Sequence, residues 1–126
     1  MFEVRIQTHF SAAHHLRGYP GACSAVHGHN WEVEVAVQGR RLNETGILVD
    51  FRQLKDALRE ALVGIDHADL NELAVFKEQN PTSENIARFL YGKLSADLNS
   101  ASYRVAAVTV RETPGSMASY WEDAER

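Results

Sequence analysis

The chain has a single cysteine, so no disulfide can form within it and a centre built on several thiolates is excluded. It has no run of Lys and Arg either: 13 basic residues are scattered against 17 acidic ones, for a net charge of −4. Sequence-independent nucleic-acid binding relies on a basic footprint, so that class is set aside. No apolar stretch approaches the roughly 20 residues of a membrane span, and the N-terminus has no basic-then-apolar signal pattern. Internal repeats, linkers and low-complexity segments are also missing. These absences lead to the expectation of one soluble, cytoplasmic domain over residues 1–126, without nucleic-acid or membrane partners. With 44% hydrophobic residues it has enough apolar material for its own core.

What is present is patterned. Phe2, Val4, Ile6, Thr8 and Phe10 alternate with Glu3, Arg5, Gln7 and His9, which predicts a strand with one buried face. Trp31, Val33, Val35 and Val37 alternate with Glu32, Glu34 and Gln38 and predict a second strand. Asp50 is placed to cap a helix, with Gln53 where a capping-box partner would stand. Phe51, Leu54, Leu58 and Leu62 form that helix's stripe, and Gly64 stops it. After a loop from Ile65 to Pro81, Thr82 or Ser83 caps a second helix with the stripe Ile86, Phe89, Leu90, Leu94 and Leu98. Val105 to Glu112 reads as a further strand, broken by Pro114-Gly115, and Tyr120-Trp121 as a short terminal one. The fold class expected is α+β, an antiparallel sheet with two helices.

Five of the six histidines lie within the first 29 residues. In His27-Gly28-His29, residues i and i+2 of an extended backbone point to one face about 6.6 Å apart, so both imidazoles can converge on one metal ion. If the first two strands pair antiparallel, the His14-His15 pair comes close to this triplet, and either ring can be the third ligand. Three protein ligands with an open fourth position is the pattern of catalytic zinc, whereas structural zinc is closed by four. His9 falls on the polar face of its strand and is set aside. Cys23 stands four residues before His27. In a Gly- and Ala-rich loop an inert, core-packing thiol ranks last. Two readings stay open: a fourth ligand that closes the site, or a thiolate whose pKa a neighbouring cation lowers.

Five motifs occur in order: Phe10-Ser11-Ala12-Ala13-His14, Cys23-x-x-x-His27-Gly28-His29, Asp66-His67, Asn80-Pro81-Thr82-Ser83-Glu84 and Arg111-Glu112-Thr113. Together they resemble the 6-pyruvoyl-tetrahydropterin synthase family. The three-residue spacer after Cys23 is similar to that of its branch of 6-carboxy-tetrahydropterin synthases of the queuosine (7-deazaguanine) pathway. The resemblance implies four antiparallel strands with both helices on one face, closed into a barrel by trimers that stack as a homohexamer. It implies zinc on His14, His27 and His29, with the Phe-x-Ala-Ala-His motif selecting His14 over His15. Cys23 is implied as the catalytic thiol, His67 with Asp66 as its acid/base partner, and Glu112 as the anchor of the pterin ring. Thr82 and Ser83 are implied to line the pterin pocket. Ala68 departs from the pattern, standing where some relatives carry a second histidine.

The residues bear these roles on their own chemistry. A carboxylate accepts two parallel donors, which suits the N–H edge of a guanine-like ring, and parity puts Glu112 on the apolar side with Val108 and Val110. The activity implied is a zinc-dependent lyase on 7,8-dihydroneopterin triphosphate, giving 6-carboxy-5,6,7,8-tetrahydropterin, acetaldehyde and triphosphate. The enzyme alternative is a 6-pyruvoyl-tetrahydropterin synthase that stops after triphosphate elimination. The non-enzyme alternative is a structural-zinc module closed by Cys23, for which Glu112 and Asp66-His67 would have no use.

Overall fold

The computed structural model describes residues 1–21 and 24–123. The first two strands, β1 (Phe2–His14) and β2 (His27–Gly39), pair antiparallel without a break, from Phe2 opposite Gly39 to His14 opposite His27. Their buried face is the apolar half of the alternation: Ile6, Phe10 and Ala12 from β1, and Trp31, Val33, Val35 and Val37 from β2. Gly39 ends β2 where a side chain has no room, since a Cβ there would lie 2.5 Å from both Leu48 Cδ1 and the Ser102 carbonyl.

Helix α1 (Phe51–Leu62) starts at Asp50, whose carboxylate accepts from the Arg52 N–H at 2.8 Å. It buries Leu54, Ala57, Leu58, Ala61 and Leu62. Two expectations fail here. Phe51 turns to solvent, and Gln53 donates to the Tyr103 hydroxyl at 3.0 Å instead of returning to the cap. Helix α2 (Ser83–Leu98) is capped by Thr82, not Ser83: the Thr82 hydroxyl accepts from the Asn85 N–H at 3.1 Å. Ile86, Leu90, Leu94 and Leu98 are buried as expected, while Phe89 is only partly covered and meets Phe76 edge-on.

Among the described residues the sheet has five strands in the order β3-β1-β2-β4-β5, not four, and one of them is parallel. β3 (Ala68–Asp69) lies parallel to Ala12 and Ala13 of β1. Two residues are too few to leave a periodic signal, and the segment is tied to β1 by long-range hydrogen bonds of Asp66 and His67 to Ser11. β4 (Arg104–Thr113) pairs antiparallel with β2 and with β5 (Ser116–Tyr120). The terminal strand is thus longer and earlier than Tyr120-Trp121, and Trp121 lies beyond it. Pro114-Gly115 forms the turn of a β4–β5 hairpin rather than a plain break.

Among the described residues, all the buried apolar side chains except Ala36 join one cluster, made mainly by the even face of β1, the odd face of β2, Val105, Val108 and Val110 of β4, and both helices. Trp31 is its largest member. It stacks on Phe10 at 5.8 Å with the rings nearly parallel, and its indole N–H donates to the Ala12 carbonyl at 3.2 Å. Among the described residues no helix is long and apolar enough to cross a membrane.

Candidate active site and metal centre

The β1–β2 register decides the site. It sets His14 directly opposite His27 and Ala12 opposite His29, so the three imidazoles share the core-side face at one end of the sheet. Trp31 lies under them, edge-on to His14 at 4.8 Å and to His29 at 5.4 Å. Glu112 arrives from the far end of β4. Glu112 has the parity of the buried Val108 and Val110, and the β4–β5 register slips beside it, between Arg111 and Thr113.

The nitrogen and oxygen atoms that His14, His27, His29 and Glu112 offer all lie within 4.8 Å of one another. Glu112 Oε2 is 3.0 Å from His14 Nε2, 3.0 Å from His29 Nε2 and 3.9 Å from His27 Nε2. The opposite ring nitrogens are committed elsewhere. His14 Nδ1 faces the Pro81 carbonyl at 2.8 Å, and His27 Nδ1 faces the Ala25 carbonyl at 2.7 Å. A carbonyl only accepts, so Nδ1 of each ring carries the proton and, in the neutral ring, Nε2 presents a lone pair to the centre. His29 Nε2 is buried, and its approach to Glu112 lacks the alignment of a hydrogen bond. Burial of this ring, reinforced by the neighbouring His27 and His14 and opposed by Glu112, holds the His29 pKa below the ordinary imidazole value.

Inward lone pairs facing a carboxylate repel unless a ring takes a second proton, which lets His14 Nε2 donate to Glu112 Oε2 at 3.0 Å, or a cation lies between them. Ligand atoms around a tetrahedral zinc-sized ion, with bonds of about 2.0–2.1 Å, sit about 3.3 Å apart, close to the separations found here. Three imidazoles and one carboxylate therefore fit a divalent cation of the nitrogen-preferring class, and this group could hold a metal ion. His15 is not part of it. Its ring lies by Asn71, and its backbone is held by the Asn71 side chain.

Of the remaining sequence candidates, Asp66, His67, Thr82 and Ser83 do not belong to this group of four. Asp66 Oδ1 accepts from the Ser11 N–H at 3.0 Å and lies 3.0 Å from His67 Nδ1. His67 adopts a left-handed backbone (φ 62°), and its N–H donates to the Ser11 carbonyl at 2.5 Å. Its side chain is 81% exposed and borders a groove of about 480 Å³ with Ser11, Ala13, Gly28 and Asn30, which belong to the face of β1 and β2 that points away from the core. Gly28 is not needed for close packing inside the chain, because a Cβ there would meet only the Ala12 carbonyl at 4.0 Å. Thr82 and Ser83 begin α2, next to the Pro81 carbonyl that holds His14. Cys23 lies outside the described residues.

Sequence reasoning missed Trp31 as the floor of the cluster and missed Asn71, which is 3% exposed and hydrogen-bonded to the residue after His14. For Trp31 the signal was available, since it shares the parity of His27 and His29. For Asn71 it was not, since one polar residue after Leu70 reads as loop.

Fold and site together define an α+β protein whose antiparallel sheet carries a metal-competent histidine cluster at one end. The chain belongs to the 6-pyruvoyl tetrahydropterin synthase family, whose family model matches residues 3–123. A 6-carboxy-5,6,7,8-tetrahydropterin synthase of Bacillus subtilis is 36% identical over 126 aligned residues, covering 94% of this chain and 84% of its own. A putative 6-carboxy-5,6,7,8-tetrahydropterin synthase of Archaeoglobus fulgidus is 40% identical over 104, covering 82% and 85%. Among solved structures, the 6-pyruvoyl tetrahydropterin synthase of Caenorhabditis elegans superposes with a TM-score of 0.87 at 28% identity, over 97% of this chain and 96% of that one. The Plasmodium vivax 6-pyruvoyltetrahydropterin synthase shares the fold, with a TM-score of 0.73 at 18% identity over 98% of each chain.

Proposed function

We propose that this chain is a zinc-dependent 6-carboxy-5,6,7,8-tetrahydropterin synthase acting in 7-deazaguanine (queuosine) biosynthesis in the cytoplasm. It converts 7,8-dihydroneopterin triphosphate and water to 6-carboxy-5,6,7,8-tetrahydropterin, acetaldehyde and triphosphate. The observation that carries this reading is the convergence of His14, His27 and His29 Nε2, in a chain 36% and 40% identical to proteins named for that activity.

His14, His27 and His29 hold the ion, which when bound polarises the side-chain hydroxyls of the substrate and acidifies the carbon next to them. The other roles fall to the chain. In this reading Glu112 leaves the ion to the three imidazoles and binds the ring's N–H edge through both carboxylate oxygens, and Thr82 and Ser83 line the same pocket. Cys23 and His67 move protons on and off the side-chain carbons, and Asp66 holds His67 Nδ1 so that Nε2 faces the reactant.

Because His67 faces outward, its partner in this chemistry comes from another copy of the chain. Among the described residues two open edges support a ring of copies: Phe2 to Phe10 of β1, which β3 leaves uncovered, and the outer side of β5. Closing a barrel across subunits removes both. The assembly is a homohexamer of two stacked trimers, and light scattering should read a mass near six chains; a monodisperse monomer would defeat it.

The deciding experiment is incubation with dihydroneopterin triphosphate. Acetaldehyde, read by coupled alcohol dehydrogenase, should form in step with triphosphate. The match to the Caenorhabditis elegans structure favours a second reading, pyruvoyl formation, in which triphosphate appears without acetaldehyde.

A further inference from the structure

Past the end of β1 the backbone from His15 to Arg17 has no strand beside it among the described residues, yet the N–H and carbonyl of His15 and of Arg17 are paired. Asn71 takes both groups of His15: its Oδ1 accepts from the N–H at 2.9 Å and its Nδ2 donates to the carbonyl at 3.1 Å. Asn80 repeats the arrangement two residues on, accepting from the Arg17 N–H at 2.9 Å and donating to the Arg17 carbonyl at 3.0 Å. A carboxamide carries the same donor and acceptor as a peptide group, and a spacing of two is the repeat of a β ladder. The backbone partners also fix which way each amide points, since an N–H only donates and a carbonyl only accepts. Two asparagine side chains thus stand in for the missing neighbouring strand.

Both are themselves anchored. Asn71 is buried, and its own N–H is held by Asp69 Oδ1 at 3.1 Å. The Asn80 carbonyl accepts from the Thr82 N–H at 2.9 Å and from the Asn85 carboxamide at 2.8 Å, which ties it to the start of α2. The Arg17 guanidinium donates back to the carbonyls of Phe76 and Gln79. The residue after Asn80 is Pro81, whose ring restricts the backbone and whose carbonyl receives His14 Nδ1. One short, stiff segment therefore grips the chain on both sides of His15: His14 through a carbonyl, and Arg17 through a side chain.

We propose that Asn71 and Asn80 are positioning residues for the metal centre, extending the β1 ladder beyond its last strand partner so that His14 Nε2 is aimed at the His27–His29 pair. The proposal rests on the metal reading of the cluster and adds to it the part that sets the least exposed ligand. Partners behind metal ligands are commonly worth 10–100-fold in metal affinity.

The test is competition titration of the full, metal-stripped chain with Co2+, whose visible absorption reports ligand geometry. Asn71→Asp and Asn80→Asp preserve size and the acceptor but face a carboxylate oxygen to a backbone carbonyl. Both should weaken Co2+ binding about 10–100-fold and alter the absorption band. Asn99→Ala is the structural control. Asn99 Oδ1 accepts from the Val105 N–H at 2.7 Å at the other end of α2, so its loss should lower the melting temperature with Co2+ affinity unchanged. Parent affinity and parent spectra in both Asp variants would overturn the proposal, as would an Asn99→Ala variant weakened as much as they are. If Asn71→Asp does not fold, Asn80→Asp at its half-buried position decides. A parent chain that binds no Co2+ would instead remove the metal reading, and the proposal with it.

Discussion

The His14–His27–His29–Glu112 cluster and the Asp66–His67 pair are held in opposite ways. In the cluster the side chains are constrained: two rings are pinned by carbonyls behind them, Trp31 lies underneath, and the ring centroids are 4.6–5.4 Å apart. At Asp66–His67 it is the backbone that is constrained, by a left-handed φ of 62° and two hydrogen bonds to Ser11, while the imidazole is 81% exposed. A non-glycine residue in that conformation costs of the order of 1–3 kcal/mol and persists only where its surroundings impose it. The chain thus gathers a cluster that could hold a metal ion against its own core, and spends strain to present one imidazole to the outside.

The largest expected effect separates the two regions by metal content. His27→Ala or His29→Ala should remove bound metal and all turnover, as read by metal analysis of the purified chains. His67→Ala should abolish turnover with metal retained, and Cys23→Ala should do the same. Full metal retention in His27→Ala would dissolve the distinction, and metal loss in Cys23→Ala would bring back the closed structural-zinc site.

These two regions were not equally legible in the sequence. Alternation predicted β1 and β2, and an antiparallel pair necessarily brings residue 14 near residue 27, so the cluster follows from patterns of period two. Parity also placed Glu112 on the apolar side, although the bulge beside it has no sequence mark. Nothing of the kind locates Asp66–His67. Its position depends on a two-residue parallel strand, a positive φ at a histidine and contacts to Ser11 across 55 residues of chain, none of which is periodic. The helix caps show the same division. Asp50 and Thr82 were readable because capping is local, whereas the reach of Gln53 to Tyr103 is tertiary and was misread.

Next in size come the stability differences. Trp31→Ala empties the floor of the cluster and should cost about 3–5 kcal/mol, read by urea unfolding of the metal-free chain. At the other region the sign reverses. His67→Gly releases the left-handed strain and should leave stability unchanged or raise it by about 1 kcal/mol, even as activity is lost. A His67→Gly chain destabilised by several kcal/mol would mean that the imidazole packs, contrary to its exposure.

The smallest effect is a dependence on pH, and it belongs to the cluster. Burial of the His29 ring, with help from His27 and His14 and against the pull of Glu112, keeps its folded pKa below the ordinary value. In the unfolded chain the same imidazole takes up a proton near pH 6.5 or so. Between the depressed folded value and that point the unfolded chain binds more protons, so acid favours unfolding. The contribution of His29 is therefore complete above the unfolded pKa and is lost as pH falls toward the folded one. Urea unfolding of the metal-free chain at about pH 7.5 and about pH 5.5 should show the parent losing stability on acidification, and His29→Gln losing less. Equal losses in the two chains would mean that the ring is as free to take a proton in the fold as in the coil.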